Sequence, residues 1–132
     1  MQVLSGSLVA LVTPMEKNGD VDFNALENLI EWHIHNGSDG IVSVGTTGES
    51  ATLSIDEHLD VIKHTVKCVN GRIPVIAGSG SNSTAQAIET TKESLKIGAD
   101  YSLLVTPYYN KPSQRGLIEH YTKIANSSDM KL

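Results

Sequence analysis

Four short apolar runs punctuate the chain: LVALVTP at 8–14, GIVSVG at 40–45, IPVIAGSG at 73–80 and YSLLVTP at 101–107. Each is rich in branched residues, continuous rather than alternating, and closed by Gly, Thr or Pro. This is the pattern of a strand buried on both faces of a parallel sheet. Between the runs, apolar residues recur at helical spacing. Phe23, Leu26, Leu29, Ile30 and Ile34 form one stripe, stopped by Gly37. Leu59, Ile62, Val66 and Val69 form a second, opened by Ser54 with Glu57 in capping-box relation and stopped by Gly71. The third runs from about Ser83, with Gln86 in the same relation, through Ile88 and Leu95 to Gly98. The fourth follows Pro112 and Ser113 and carries Leu117, Ile118, Tyr121 and Ile124.

The predicted order is βαβαβαβα with strand starts about 30 residues apart, an α/β chain with a parallel sheet and right-handed crossovers. No linker or low-complexity stretch divides it. Two architectures satisfy the pattern: a small doubly wound sheet, or the first four units of an eight-unit barrel whose full length is about 250 residues. Periodicity does not choose between them.

Composition narrows the function classes. The chain has 132 residues, 39% hydrophobic and 19% charged, ordinary for one small globular domain. A formal charge of -5 without a basic stripe argues against nucleic acid as a partner. Leu8 to Val12 is far too short to span a membrane and has no charged leader, so a cytoplasmic protein with no membrane partner is expected. The single cysteine, Cys68, has no internal disulfide partner and is expected to be a buried helix residue rather than a reactive thiol. His33 and His35 face different sides of their helix, and His58 and His64 are six apart. Solvated helix positions are expected for them, and no metal site.

Two loops stand out. GTTGES, residues 45 to 50, follows the second strand at its carboxyl end, where parallel α/β proteins place ligands. Its glycines permit a tight turn with close backbone approach. The N–H groups that follow, with the Thr46 and Thr47 hydroxyls, could form a small anion cradle. No Lys follows as in a Walker loop, and the dinucleotide spacing is missing, so a carboxylate suits it better than a polyphosphate. A turn rich in turn formers would read the same way. TPYYNKPSQ, residues 106 to 114, closes the fourth strand on the same rim, and Tyr108 and Tyr109 offer phenols for proton transfer or for packing.

With these residues in view the chain resembles the amino-terminal half of the dihydrodipicolinate synthase family, pyruvate-dependent class I aldolases built on a (β/α)8 TIM barrel. The likeness covers essentially all of residues 1–132 and is carried by GSLVALVTPM, IVSVGTTGESATL, GRIPVIAGSGSNSTAQAI and VTPYYNKPSQ. It implies the first four β/α units of the barrel, a half-barrel. It also implies a lyase of lysine and diaminopimelate biosynthesis that condenses pyruvate with L-aspartate semialdehyde through a lysine Schiff base, with no cofactor and no metal. By the same resemblance Thr47 holds the pyruvate carboxylate and Thr46 passes protons. Tyr109 reaches across a tight dimer interface into the neighbour's site, within a homotetramer that is a dimer of dimers. Ser50, Ala51, Leu53, His58, Asn82 and Tyr108 match the lining of the family's allosteric lysine site. Ile55 stands there where lysine-inhibited enzymes often have His, and Gln86 where they often have Glu, so weaker lysine inhibition is expected.

The Schiff-base lysine of the family lies on the sixth strand, which would follow Leu132. Of the eight lysines here none is expected in a strand, so the 132 residues are expected to be inactive alone. Four parallel strands would also leave two open edges and an uncovered inner face. Three arrangements answer this: these residues as part of a longer chain, pairing with a complementary carboxyl-terminal half, or a homo-oligomer that closes the ring or flattens the sheet. The alternatives in function are a related pyruvate aldolase such as N-acetylneuraminate lyase, which Thr46 and TPYYN argue against, and a non-catalytic half-barrel that binds a small carboxylate or serves assembly.

Overall fold

The computed structural model describes residues 4–132, so the first three positions of the expected 1–132 half-barrel lie outside the described residues. The strands are β1 (Leu8–Ala10), β2 (Gly40–Ser43), β3 (Val75–Gly78) and β4 (Tyr101–Leu103). They alternate with α1 (Phe23–His35), α2 (Ile55–Val69), α3 (Thr84–Ile97) and α4 (Gln114–Ala125). All strand pairs are parallel and the order is β1-β2-β3-β4. Sequential order with right-handed crossovers keeps every helix on one face, which excludes the doubly wound alternative and gives the first four units of a (β/α)8 barrel.

Helix boundaries follow local chemistry. Ser54 and Glu57 close the expected capping box: the Ser54 hydroxyl accepts from the Glu57 N–H, and the Glu57 carboxylate accepts from the Ser54 N–H at 2.9 Å. The box expected at Ser83 forms only by half. Ser83 Oγ accepts from the Gln86 N–H, but the Gln86 amide donates to Thr90 Oγ1 at 3.2 Å, and the Ser83 N–H donates to Ser81 instead. Gly98 ends α3 at φ 105, where a side chain would be strained.

The strands are shorter than the apolar runs, because the residues at each carboxyl end leave the ladder to build loops. Only β2 and β3 are fully buried; the outer strands β1 and β4 are partly exposed, contrary to the expectation of burial on both faces, since each has a full neighbouring strand on one side only. The main core lies between sheet and helices: Ile41, Val75 and Ala77 meet Leu26, Ile30, Val61, Ile62 and Val69. Buried hydroxyls join the two layers. Ser43 pairs with Thr65 at 3.0 Å, while Ser79 bonds both Thr91 and Ser102. Beyond α4, Met130 enters the core and Lys131 pairs in parallel with Tyr101, its carbonyl accepting from the Ser102 N–H at 2.8 Å. An apolar groove lined by Leu103, Leu104, Tyr121, Ala125 and Leu132 runs along this edge. Among the described residues no helix is long and apolar enough to cross a membrane.

Candidate active-site rim

All four strands point their carboxyl ends to one rim, so the loops that follow them meet there. The loop after β1 reaches the glycine-threonine loop through Thr13, whose buried hydroxyl donates to the Gly48 carbonyl at 2.7 Å. Inside that loop, Gly48 and Ser50 donate to the Gly45 carbonyl, and Glu49 donates to Thr46. These bonds consume the donors that an anion cradle was expected to draw from Gly48, Glu49 and Ser50. Among the described residues the N–H groups and hydroxyls of Thr46 and Thr47 have no protein acceptor, and both threonines are exposed. A cradle here draws on those two residues, beside the Gly45 N–H and the Ser50 hydroxyl, which also lack a protein acceptor among the described residues.

The backbone leading into the loop is unusual. Val44 is 1% exposed yet adopts φ 52, a conformation that β-branched residues avoid, and Glu49 follows at φ 59. This turn presses the Val44 carbonyl against Gly78 at the end of β3. A Cβ at Gly78 would collide with that carbonyl and come within 2.8 Å of Gly45 Cα. Glycine at 78 is thus what lets the loop lie flat across the end of β3.

Two adjoining cavities open at the rim, with Ser50 and Gly80 in the walls of both. One, of about 160 Å³, is lined by Val44, Gly45, Thr46, Gly78, Leu103, Leu104 and Val105 as well. It has no charged side chain, so an anion there would be held by N–H and hydroxyl dipoles. The other, of about 170 Å³, brings together Ser50, Ala51, Leu53, His58 and Tyr108, with Ile55, Ser81, Gln86 and Thr90 in its wall. Asn82 adjoins this wall by donating to the Tyr108 carbonyl at 3.3 Å, and Asn110 donates to the Asn82 carbonyl at 3.2 Å.

Tyr109 stands apart from both cavities. It is 94% exposed at φ 67, on the same bend as Lys111 at φ 37. Thr47 likewise lines neither cavity. None of the lysines lies in a strand among the described residues; Lys131 alone makes an isolated bridge. No lysine lines either rim cavity.

The histidines correct the expectation of solvated positions. His58 is buried, and its Nε2 lies 2.7 Å from the Gly78 carbonyl, to which it must donate. Burial pushes its pKa below the usual histidine value, against hydrogen bonds to the backbone of Gly78 and Ser50 that pull it up. His120 is also buried, with Nδ1 paired to Thr84 Oγ1 at 2.9 Å and its pKa lowered by burial. His33 is half-buried beside Ser38, while His35 is exposed. Sequence spacing missed one further grouping. His64 and Cys68 are four apart on α2 and face Glu27 on α1, a helical pairing hidden when histidines are compared only with one another.

A family model described as the dihydrodipicolinate synthetase family matches residues 3–132. The chain is 60% identical over 125 residues to the 4-hydroxy-tetrahydrodipicolinate synthase of Marinobacter nauticus, covering 95% of this chain and 43% of that protein. It superposes with a TM-score of 0.95 and 56% identity on the crystal structure of the chloride inhibited dihydrodipicolinate synthase from Acinetobacter baumannii complexed with pyruvate, over 97% of this chain and 44% of that one. The synthase from Cyanidioschyzon merolae with lysine bound matches at a TM-score of 0.91 and 47% identity, over 94% and 43% of the two chains. The chain thus spans less than half the length of the curated relatives it matches.

Proposed function

The chain belongs to the dihydrodipicolinate synthetase family, and from that premise we propose that it supplies the pyruvate-carboxylate loop and the donated tyrosine of a lyase that condenses pyruvate with L-aspartate semialdehyde. The observation that carries this reading is the state of the glycine-threonine loop. Its later N–H groups are satisfied internally, it is clasped by Thr13, and among the described residues Thr46 and Thr47 keep both N–H and hydroxyl donors without a protein acceptor. A small carboxylate is the ligand such an arrangement suits, because two oxygens can accept from two adjacent residues.

In this reading Thr47 binds the carboxylate of pyruvate, and Thr46, in the wall of the uncharged cavity, passes protons. Tyr109, projecting from the rim, completes the hydroxyl relay in a neighbouring subunit, so the working unit is at least a homodimer. A relay needs hydroxyls within hydrogen-bond reach of one another. The position of Tyr109 outside both cavities fits a residue that serves another copy. The Schiff-base amine must be a lysine held in a dry pocket. No lysine of this chain meets that need, so the amine comes from the remaining units of the barrel, which also cover the edge groove beside β4.

The cavity of about 170 Å³ is the site we assign to an allosteric amino acid of the lysine class, with Ser50, Ala51, Leu53, His58, Asn82 and Tyr108 around it. Gln86 offers an amide where an ammonium would be better held by a carboxylate. Reductive trapping of pyruvate with borohydride, on this chain alone and on the barrel completed by a carboxyl-terminal half, tests the division of labour. Comparing aspartate semialdehyde with sugar-acid partners as second substrate separates this lyase from related pyruvate aldolases.

A further inference from the structure

Away from the rim, on the outer face of the helix layer, three different metal-ligand types converge. Glu27 comes from α1, and His64 and Cys68 from one face of α2, where residues four apart are neighbours. Their ligating atoms lie within 4.8 Å of one another, with His64 Nε2 at 3.9 Å from Glu27 Oε2. The cluster opens into a cavity of about 440 Å³ that shares no lining residue with the rim cavities.

Two features distinguish it from an ordinary surface grouping. The Nε2 atom of His64 is buried and has no hydrogen-bond partner among the described residues, an arrangement that ordinarily costs free energy. The imidazole is also oriented by the Phe23 ring, whose centroid is 5.0 Å away at an angle of 51°. The nearby cation does not compete for Glu27. Arg72 is engaged with both carboxylate oxygens of Glu31 and with the Val69 and Cys68 carbonyls. Lys67, also in the cavity wall, makes no ion pair with Glu27.

We propose that Glu27, His64 and Cys68 form a binding site for a divalent cation of the zinc class, with water in the fourth position. Carboxylate, imidazole and thiolate together suit this borderline ion, and three protein ligands plus water complete a tetrahedron. At metal–ligand bonds of about 2.0 to 2.3 Å the ligand atoms stand about 3.5 Å apart. The present separations, within 4.8 Å, exceed this by roughly an ångström at the widest, and rotation of the exposed Glu27 side chain closes those that involve its carboxylate. Binding replaces the thiol S–H bond by a metal–sulfur bond and releases the proton to solvent. The ion then ties α1 to α2 and shields the chain's one cysteine.

Cobalt(II) titration of the purified chain tests the site, because thiolate coordination gives a near-ultraviolet charge-transfer band. One equivalent should produce the band, zinc(II) should displace it, and Cys68→Ser should abolish it. Glu27→Gln and His64→Ala should each weaken cobalt binding by at least the roughly tenfold seen when even outer-shell partners are lost. Glu27 is exposed, so its isosteric variant keeps the fold while removing one ligand. Absence of the band in the unaltered chain would overturn the site, as would unchanged affinity in Glu27→Gln.

Discussion

Thr13 donates its buried hydroxyl to the Gly48 carbonyl at 2.7 Å, joining the loop after the first strand to the glycine-threonine loop after the second. That bond ties the glycine-threonine turn to the loop before it, beside the close packing of Val44 and Gly45 on Gly78. Thr13→Val keeps the shape and removes the donor, leaving a buried carbonyl unsatisfied at a cost of about 1 to 3 kcal/mol. Denaturant unfolding should show that loss, and the completed enzyme should need more pyruvate to reach half-maximal rate.

Thr46 and Thr47 should separate kinetically. With Thr47 holding the carboxylate as proposed, Thr47→Ala should raise KM for pyruvate. Thr46→Val should lower kcat by about a hundredfold or more, the scale of a lost proton-transfer group, while Thr46→Ser retains most of it. Steady-state kinetics of the completed barrel read both. Equal effects of the two valine or alanine changes on kcat would contradict the assigned roles.

His58 gives stability a pH dependence of known sign. Its folded-state pKa lies below the ordinary value because burial penalises the charged form, so the unfolded chain binds the proton first as pH falls. Stability is full above the ordinary histidine pKa of about 6.5 and declines as pH drops toward the folded pKa. The slope from this one group cannot exceed about 1.4 kcal/mol per pH unit. Urea unfolding across pH 7.5 to 5.5 should show the decline, and His58→Gln should make it shallower. His120, lowered by burial as well, adds in the same direction.

The helices were readable in the sequence because their ends are set by neighbours in the chain. Ser54, Glu57 and Gly98 act within a few residues of where they stand. What the sequence withheld depends on distant partners. The half-exposed outer strands reflect which neighbours the sheet provides, and Gln86 turns to Thr90 because a second acceptor lies within reach. His58 is buried because Gly78, twenty residues on, presents a carbonyl to it. The rim itself was legible: GTTGES and TPYYN were both placed at strand carboxyl ends, and that is where they lie. Which N–H groups of the first loop remain open was not, since those bonds follow from its backbone turns and not from its composition.

Gln86 lines the rim cavity of about 170 Å³ as an amide. Gln86→Glu supplies a carboxylate able to pair with the ligand's ammonium, and charge-assisted bonds are roughly twice as strong as neutral ones. Lysine inhibition of the completed enzyme should therefore strengthen in this variant, by about tenfold for a gain of about 1.4 kcal/mol. A dose-response curve for lysine, with and without the substitution, checks it.

The division of labour between this chain and the rest of the barrel is tested most directly by mass. The chain, of 14.2 kDa, is treated with pyruvate and borohydride alone, and again after assembly with the carboxyl-terminal half of the Marinobacter relative. No reduced pyruvate adduct is expected on this chain in either case, and one adduct on the partner half in the assembled complex. An adduct on any lysine of this chain, or an assembled complex that traps none, would contradict that division of labour.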